Sequence, residues 1–112
     1  MKKSLRRAPR ILIQNRWCEP VLRRYTSSKA PALILNDVHG GALFGIPTIN
    51  SLEDGFNPSM FGKAATMFKT WGENEGMYEE LVEGGIIIAS DYEVPFLYFQ
   101  CRLGFVNLGL FR

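Results

Sequence analysis

A single histidine and two cysteines are all the soft metal ligands in this 112-residue chain. His39 stands in Asn36-Asp37-Val38-His39-Gly40-Gly41, and Cys18 and Cys101 are far too distant for a CxxC pair. No metal site can be read at ligand spacing. Asp37 gives His39 a nearby carboxylate, but a turn residue tolerating unusual backbone angles is the plainer reading. No glycine-rich loop stands between a strand and a helix to cradle a phosphate, and Glu73 and Glu75 are too weak a pair for acid–base work. Catalytic, cofactor-binding and metal-ligating residues are expected to be none, and no enzyme is expected. Nor does any apolar run approach the ~20 residues that cross a bilayer. The longest, 85–89 and 94–99, are strand-length and belong to a core, so no membrane partner is expected.

Acids are scarce in one region only. Residues 1–36 hold nine Lys/Arg against one acid, Glu19, while residues 37–112 hold four against ten. The whole carries only +2, so the split suggests a basic tail or a two-faced surface. Opposite faces of this kind can also pair two copies, which makes a homodimer one expected assembly. The basic stretch up to Pro9 reads as a flexible leader, residues 1–9, ahead of a single domain, 10–112. A transit peptide is the competing reading, but prolines at 9 and 20 punctuate strand-like runs rather than one amphipathic helix. Hydrophobic content of 46% with 21% charged residues is that of a globular chain long enough to bury roughly 65% of its unfolded surface. The two scattered cysteines fit buried small hydrophobes of a cytosolic protein.

Strands are expected at 10–17, 20–26, 32–37, 42–50, 64–71 and 96–105, with 106–112 as a short addition. Asp37 to Gly41, between two apolar runs, is the best hairpin signal. Pro47 places an edge or bend in the strand that follows. Residues 51–63 form the longest irregular segment, with two phenylalanines, and long loops are often functional or mobile. Residues 90–95 read as a turn. One short helix, about 75–83, carries Met77 and Leu81 on its apolar stripe, with Tyr78 and Val82 beside them. Asn74 is its expected N-cap and Gly84 its left-handed C-cap. Trp71 and Met77 are expected core anchors. The fold class is α+β: a mainly antiparallel sheet of about six strands with the helix packed on it.

Five glutamates crowd this helix. Glu73 and Glu75 lie at its positive end, where each stabilises by roughly 0.3–1 kcal/mol. Glu79, Glu80 and Glu83 run against the dipole without an i,i+4 lysine partner. They are the candidate partner surface, weighed against a plain solvated face. The second candidate surface is basic: Arg6, Arg7, Arg10, Arg23 and Arg24, interleaved with Trp17 and Tyr25, offer phosphate-neutralising charge beside stacking groups.

Three segments carry a resemblance: 21–37 with Tyr25 and Asp37, then Thr48-Ile49-Asn50, then 68–87 with Lys69, Trp71, Glu73, Asn74 and Gly84. Together they resemble a small uncharacterised domain family of bacterial plasmids, conjugative elements and phages, over roughly residues 20–103. The resemblance implies a phage or mobile-element accessory protein in the cytoplasm of a bacterial host. The expected function is non-enzymatic binding of a host protein or ribonucleoprotein complex, such as anti-CRISPR-like inhibition of a defence system. The alternative is a small nucleic-acid-binding module using the basic N-terminal third.

Overall fold

The computed structural model describes residues 6–96 and 99–112. Among them, nine strands form two antiparallel sheets, so about six strands in one sheet was too few. Sheet A holds β1 (Arg6–Arg7), β2 (Ile11–Ile13), β3 (Arg16–Arg24), β4 (Pro31–Asp37) and β5 (Leu43–Gly45). Its order is β1-β3-β4-β5, with β2 beside β1 along the same edge of β3. Sheet B holds β6 (Thr48–Ile49), β7 (Ala65–Lys69), β8 (Ile87–Phe96) and β9 (Phe99–Val106), in the order β6-β7-β9-β8. One helix, α1, spans Met77–Glu83.

The stretch expected as one strand, 10–17, is a hairpin. Ile13 pairs with Arg16 across a two-residue turn in which Gln14 and Asn15 are both left-handed, at φ 50° and 63°. That is the twist-matched turn that joins antiparallel strands. Gln14 has no intrinsic reason to adopt it; the Glu80 carboxylate holds its N–H at 3.0 Å. Strand β1 lies inside the segment read as a leader, and Arg7 exchanges two backbone bonds with Arg112. The chain end is therefore tied to the sheet through Arg112, after a 3-10 turn at Leu108–Leu110 rather than a last strand. Pro20 stands in the middle of β3. Its carbonyl accepts from Ala8, so its missing N–H faces the gap between β1 and β2, where no ladder bond is lost.

At Pro47, which is fully buried, the chain passes from the edge of sheet A to the edge of sheet B. Residues 42–50 are thus two short strands in different sheets. Side chains stitch the sheets together at this corner. The Leu33 N–H donates to the Thr48 hydroxyl, which also bonds the Tyr25 hydroxyl, and the Thr66 hydroxyl donates to the Pro31 carbonyl.

The main core joins the inner face of sheet A (Ile11, Ile13, Cys18, Leu22, Leu33, Leu35), the helix (Met77, Tyr78, Leu81) and the inner face of sheet B (Phe68, Ile87, Val106). A second cluster lies on the outer face of sheet B: Ala65, Met67, Cys101 and Leu103, covered by Phe56, Trp71, Val94 and Phe105. Trp71 is therefore a partly buried cover rather than an anchor of the main core, while Met77 is 2% exposed. The two cysteines are buried thiols in different clusters.

The helix begins later than expected, and Asn74 does not cap it. Gly72 and Gly76 both take positive φ, giving a 3-10 turn at Gly72–Asn74 and a left-handed entry at Gly76. Asn74 is buried in that turn. At the other end Gly84 is right-handed and Gly85 is the left-handed residue. The Gly85 N–H reaches the Val82 carbonyl and the Ile86 N–H the Leu81 carbonyl, a Schellman closure one residue beyond the expected cap.

Residues 90–95, expected as a turn, belong to β8, which bulges between Ala89 and Glu93 opposite Leu103. The bulge breaks direct pairing, and side chains take over. The Tyr78 hydroxyl donates to the Leu103 carbonyl at 2.7 Å and accepts from the Ser90 N–H at 2.9 Å. Arg102 Nε donates to the Ser90 carbonyl, and Ser90 Oγ accepts from the Tyr92 N–H.

Candidate functional site

The glutamates of α1 are largely occupied within the fold. Glu80 closes the Gln14-Asn15 turn, and Glu79 lies 3.9 Å from Arg102. Glu79 and Glu83 are exposed and Glu80 is half-buried. Of the three, only Glu83 has no polar contact among the described residues.

The arginines do not form one surface. Successive side chains of a strand alternate between faces, so Arg23 and Arg24 point to opposite sides of sheet A. Arg7, Trp17, Glu19 and Arg23 share the outer face, where Arg7 approaches Glu19 at 3.6 Å. Arg6, beside Leu22, belongs to the other face. Arg10 helps to line a cleft of about 280 Å³ that also contains Glu19 and Asp37. Asp37 is bonded by Arg16 at 2.8 Å and by the His39 N–H at 2.8 Å. The His39 N–H and then the Arg16 guanidinium hold its carboxyl below the usual range. His39 enters through its backbone, as a turn residue. Tyr25 is half-buried, and its hydroxyl bonds Thr48.

Arg24 is different. Its Nη1 donates to two backbone carbonyls, Lys29 and Lys63, each at 2.8 Å. One guanidinium thus clamps a turn of sheet A to the loop that enters sheet B, 39 residues further along. Ser59 adds a second fastening, its hydroxyl donating to the Ser28 carbonyl. Lys29 is left-handed at φ 65°, which costs a non-glycine residue roughly 1–2 kcal/mol. Bonds from the Lys29 N–H to the Tyr25 carbonyl and from the Tyr25 N–H to the Ala30 carbonyl hold it there. The result is an open cleft of about 480 Å³ lined by Arg24, Lys29, Ser59, Gly62 and Lys63. Among the described residues, three basic residues, a serine and a glycine line it.

The acidic helix is remote from this cleft. It touches the Gln14 end of β3, whereas Arg24 is the last residue of that strand. Nine residues at ~3.3 Å separate the two by about 26 Å, more than two Debye lengths at physiological salt.

Beside the cleft, the outer face of sheet B carries aromatic rings. Phe61 directly precedes Gly62 and Lys63. Its ring lies 5.5 Å from Tyr92, and Tyr92 stacks on Phe56 at 5.8 Å and 23°. Further along, Trp71 stacks on Phe99 at 4.7 Å and 9°. Phe61, Tyr92 and Phe99 each leave more than two-fifths of their surface in water. Lys69, by alternation with Ala65 and Met67, shares this face.

Of the residues proposed from sequence, the cleft contains Arg24 alone. Lys29, Ser59, Gly62 and Lys63 were missed; the length of the 51–63 loop was the one available signal. Among the described residues no group of three or more His, Cys, Asp or Glu could hold a metal ion, and no helix is long and apolar enough to cross a membrane. Comparison with protein-family models, curated proteins and solved structures found no match.

Proposed function

We propose that the protein is a small, non-catalytic binding module that holds the phosphate backbone of a nucleic acid in the Arg24–Lys29–Lys63 cleft. The observation that carries this reading is the clamp itself. Arg24 draws two lysine-bearing segments together around a cleft whose described lining is basic, and one of those lysines is held in a strained backbone conformation. Strain maintained by surrounding hydrogen bonds is typical of positions that serve a ligand. Phosphates are the anions such a cleft suits, since neutralising them releases counterions.

The reading that places a host protein on Glu79, Glu80 and Glu83 has less support, because two of those carboxylates already serve the fold. A mobile-element role rests on the family resemblance, and a nucleic acid within a host ribonucleoprotein satisfies it as well as a protein does. Fluorescence anisotropy with labelled oligonucleotides at several salt concentrations tests the proposal. Affinity should fall steeply with salt, by roughly 0.7 log units per log unit of salt for each phosphate contacted on a single strand. Lys29→Gln with Lys63→Gln should flatten that slope by about 1–1.5. Salt-independent binding, or a double variant as salt-sensitive as the parent, overturns it.

A further inference from the structure

Resting on the phosphate-cleft reading, we infer that the outer face of sheet B is a base-stacking platform, so that the nucleic acid bound is single-stranded. The platform begins where the cleft ends. Phe61 is continuous in the chain with Gly62 and Lys63 of the cleft, its ring meets Tyr92, and the stacked Trp71–Phe99 pair lies further along the same sheet face. Lys63 and Lys69 flank the two ends of β7, so phosphates leaving the cleft meet a second cation beside the rings. Charge and aromatic faces are thus arranged along one path. Half-exposed rings gathered on one sheet face, rather than scattered singly, mark a binding surface. Duplex nucleic acid keeps its base faces inside the stack, so only an unpaired strand can lay them on Phe61, Tyr92 and Phe99.

The test uses the full chain and three labelled probes of equal length: oligothymidylate, an abasic deoxyribose-phosphate chain, and a duplex. Oligothymidylate should bind about tenfold or more tighter than the abasic chain. Tyr92→Ala with Phe99→Ala should weaken oligothymidylate about tenfold or more while leaving the abasic affinity unchanged. That second measurement also shows that the variant is folded and its cleft intact. Equal, salt-sensitive binding of oligothymidylate and abasic chain retains the cleft and overturns the platform. So does a duplex that binds tightest, or a double variant with undiminished oligothymidylate affinity. If no probe binds, the cleft reading and the platform fall together.

Discussion

Replacing Tyr78 with Phe removes one oxygen atom and leaves the packing untouched, which makes it a clean measure of how β8 is held. The ring is 2% exposed, sits edge-on to Phe68 at 5.4 Å and 83°, and lies 4.6 Å under the Arg102 guanidinium. All of those contacts survive in Phe. What disappears is the hydroxyl bridging the Ser90 N–H and the Leu103 carbonyl across the bulge. Each backbone group left without a partner costs about 1–3 kcal/mol when buried. Leu103 is 2% exposed and meets that condition; Ser90 is half-buried and recovers part of its bond from water. The expected loss is about 2–3 kcal/mol, a large share of the stability of a domain this size. In urea, with a slope of roughly 1–3 kcal/mol per molar, the midpoint should drop by about 1–2 M, and Tm should fall by roughly 10 °C or more. Amide exchange at Ser90 should quicken by more than at core strand residues. A loss below about 0.5 kcal/mol, the range of an inert surface change, would mean that the bridge does not hold the two strands.

Gly104→Ala should also destabilise, by about 1–3 kcal/mol. A Cβ there would stand 2.8 Å from Phe68 Cε1 and 3.2 Å from Tyr78 Cε2, and both rings are buried in the core; an unchanged urea midpoint would refute this. Burial raises the phenols of Tyr25 and Tyr78, against smaller lowering from the Thr48 and Ser90 bonds respectively. The fold therefore favours the neutral phenols, and this stability is present below about pH 10 and is lost as pH rises through the higher folded values. Urea midpoints that hold steady through this alkaline range would contradict it. Cys18 and Cys101 are essentially unexposed, and burial, then Asp37, pushes the Cys18 thiol up, so an aromatic disulfide reagent should label neither until urea unfolds the chain. Rapid native labelling of Cys18 would place it outside the core.

The parts of this fold that were legible are those written in local pattern. Asp37 to Gly41 forms the expected turn, with the Gly41 N–H bonded to Asp37 and the Asp37 N–H to Ala42. Met77, Tyr78 and Leu81 face the core as their spacing required, and 65–69 is a strand. Two of the misreadings come from a local signal overruled by a distant partner, and a third from the backbone of neighbouring glycines. Gln-Asn is a weak turn signal until Glu80, 66 residues away, bonds the Gln14 N–H. Asn74 satisfies every local criterion for an N-cap, but the left-handed glycines at 72 and 76 bury it in a turn of its own. Ser90 to Pro95 has the composition of a turn, yet Tyr78 and Arg102 reach across to keep its bulge in the sheet.

The cleft was hidden for a related reason. Counting charge along the chain gives a basic first third, and that count treats neighbouring arginines as allies. In a strand they cannot be: Arg23 and Arg24 face opposite ways, and Arg7 and Arg16 meet Glu19 and Asp37. Sequence charge becomes a usable field only where geometry gathers like charges without pairing each to an opposite one. That happens at the Arg24 end of β3, because a guanidinium bonds carbonyls rather than a carboxylate. Carbonyls accept the bonds and leave the positive charge in place. A carboxylate in either position would have cancelled it. The charge of Arg24 thus stays available beside Lys29 and Lys63, and its anchoring role and its electrostatic role reinforce each other.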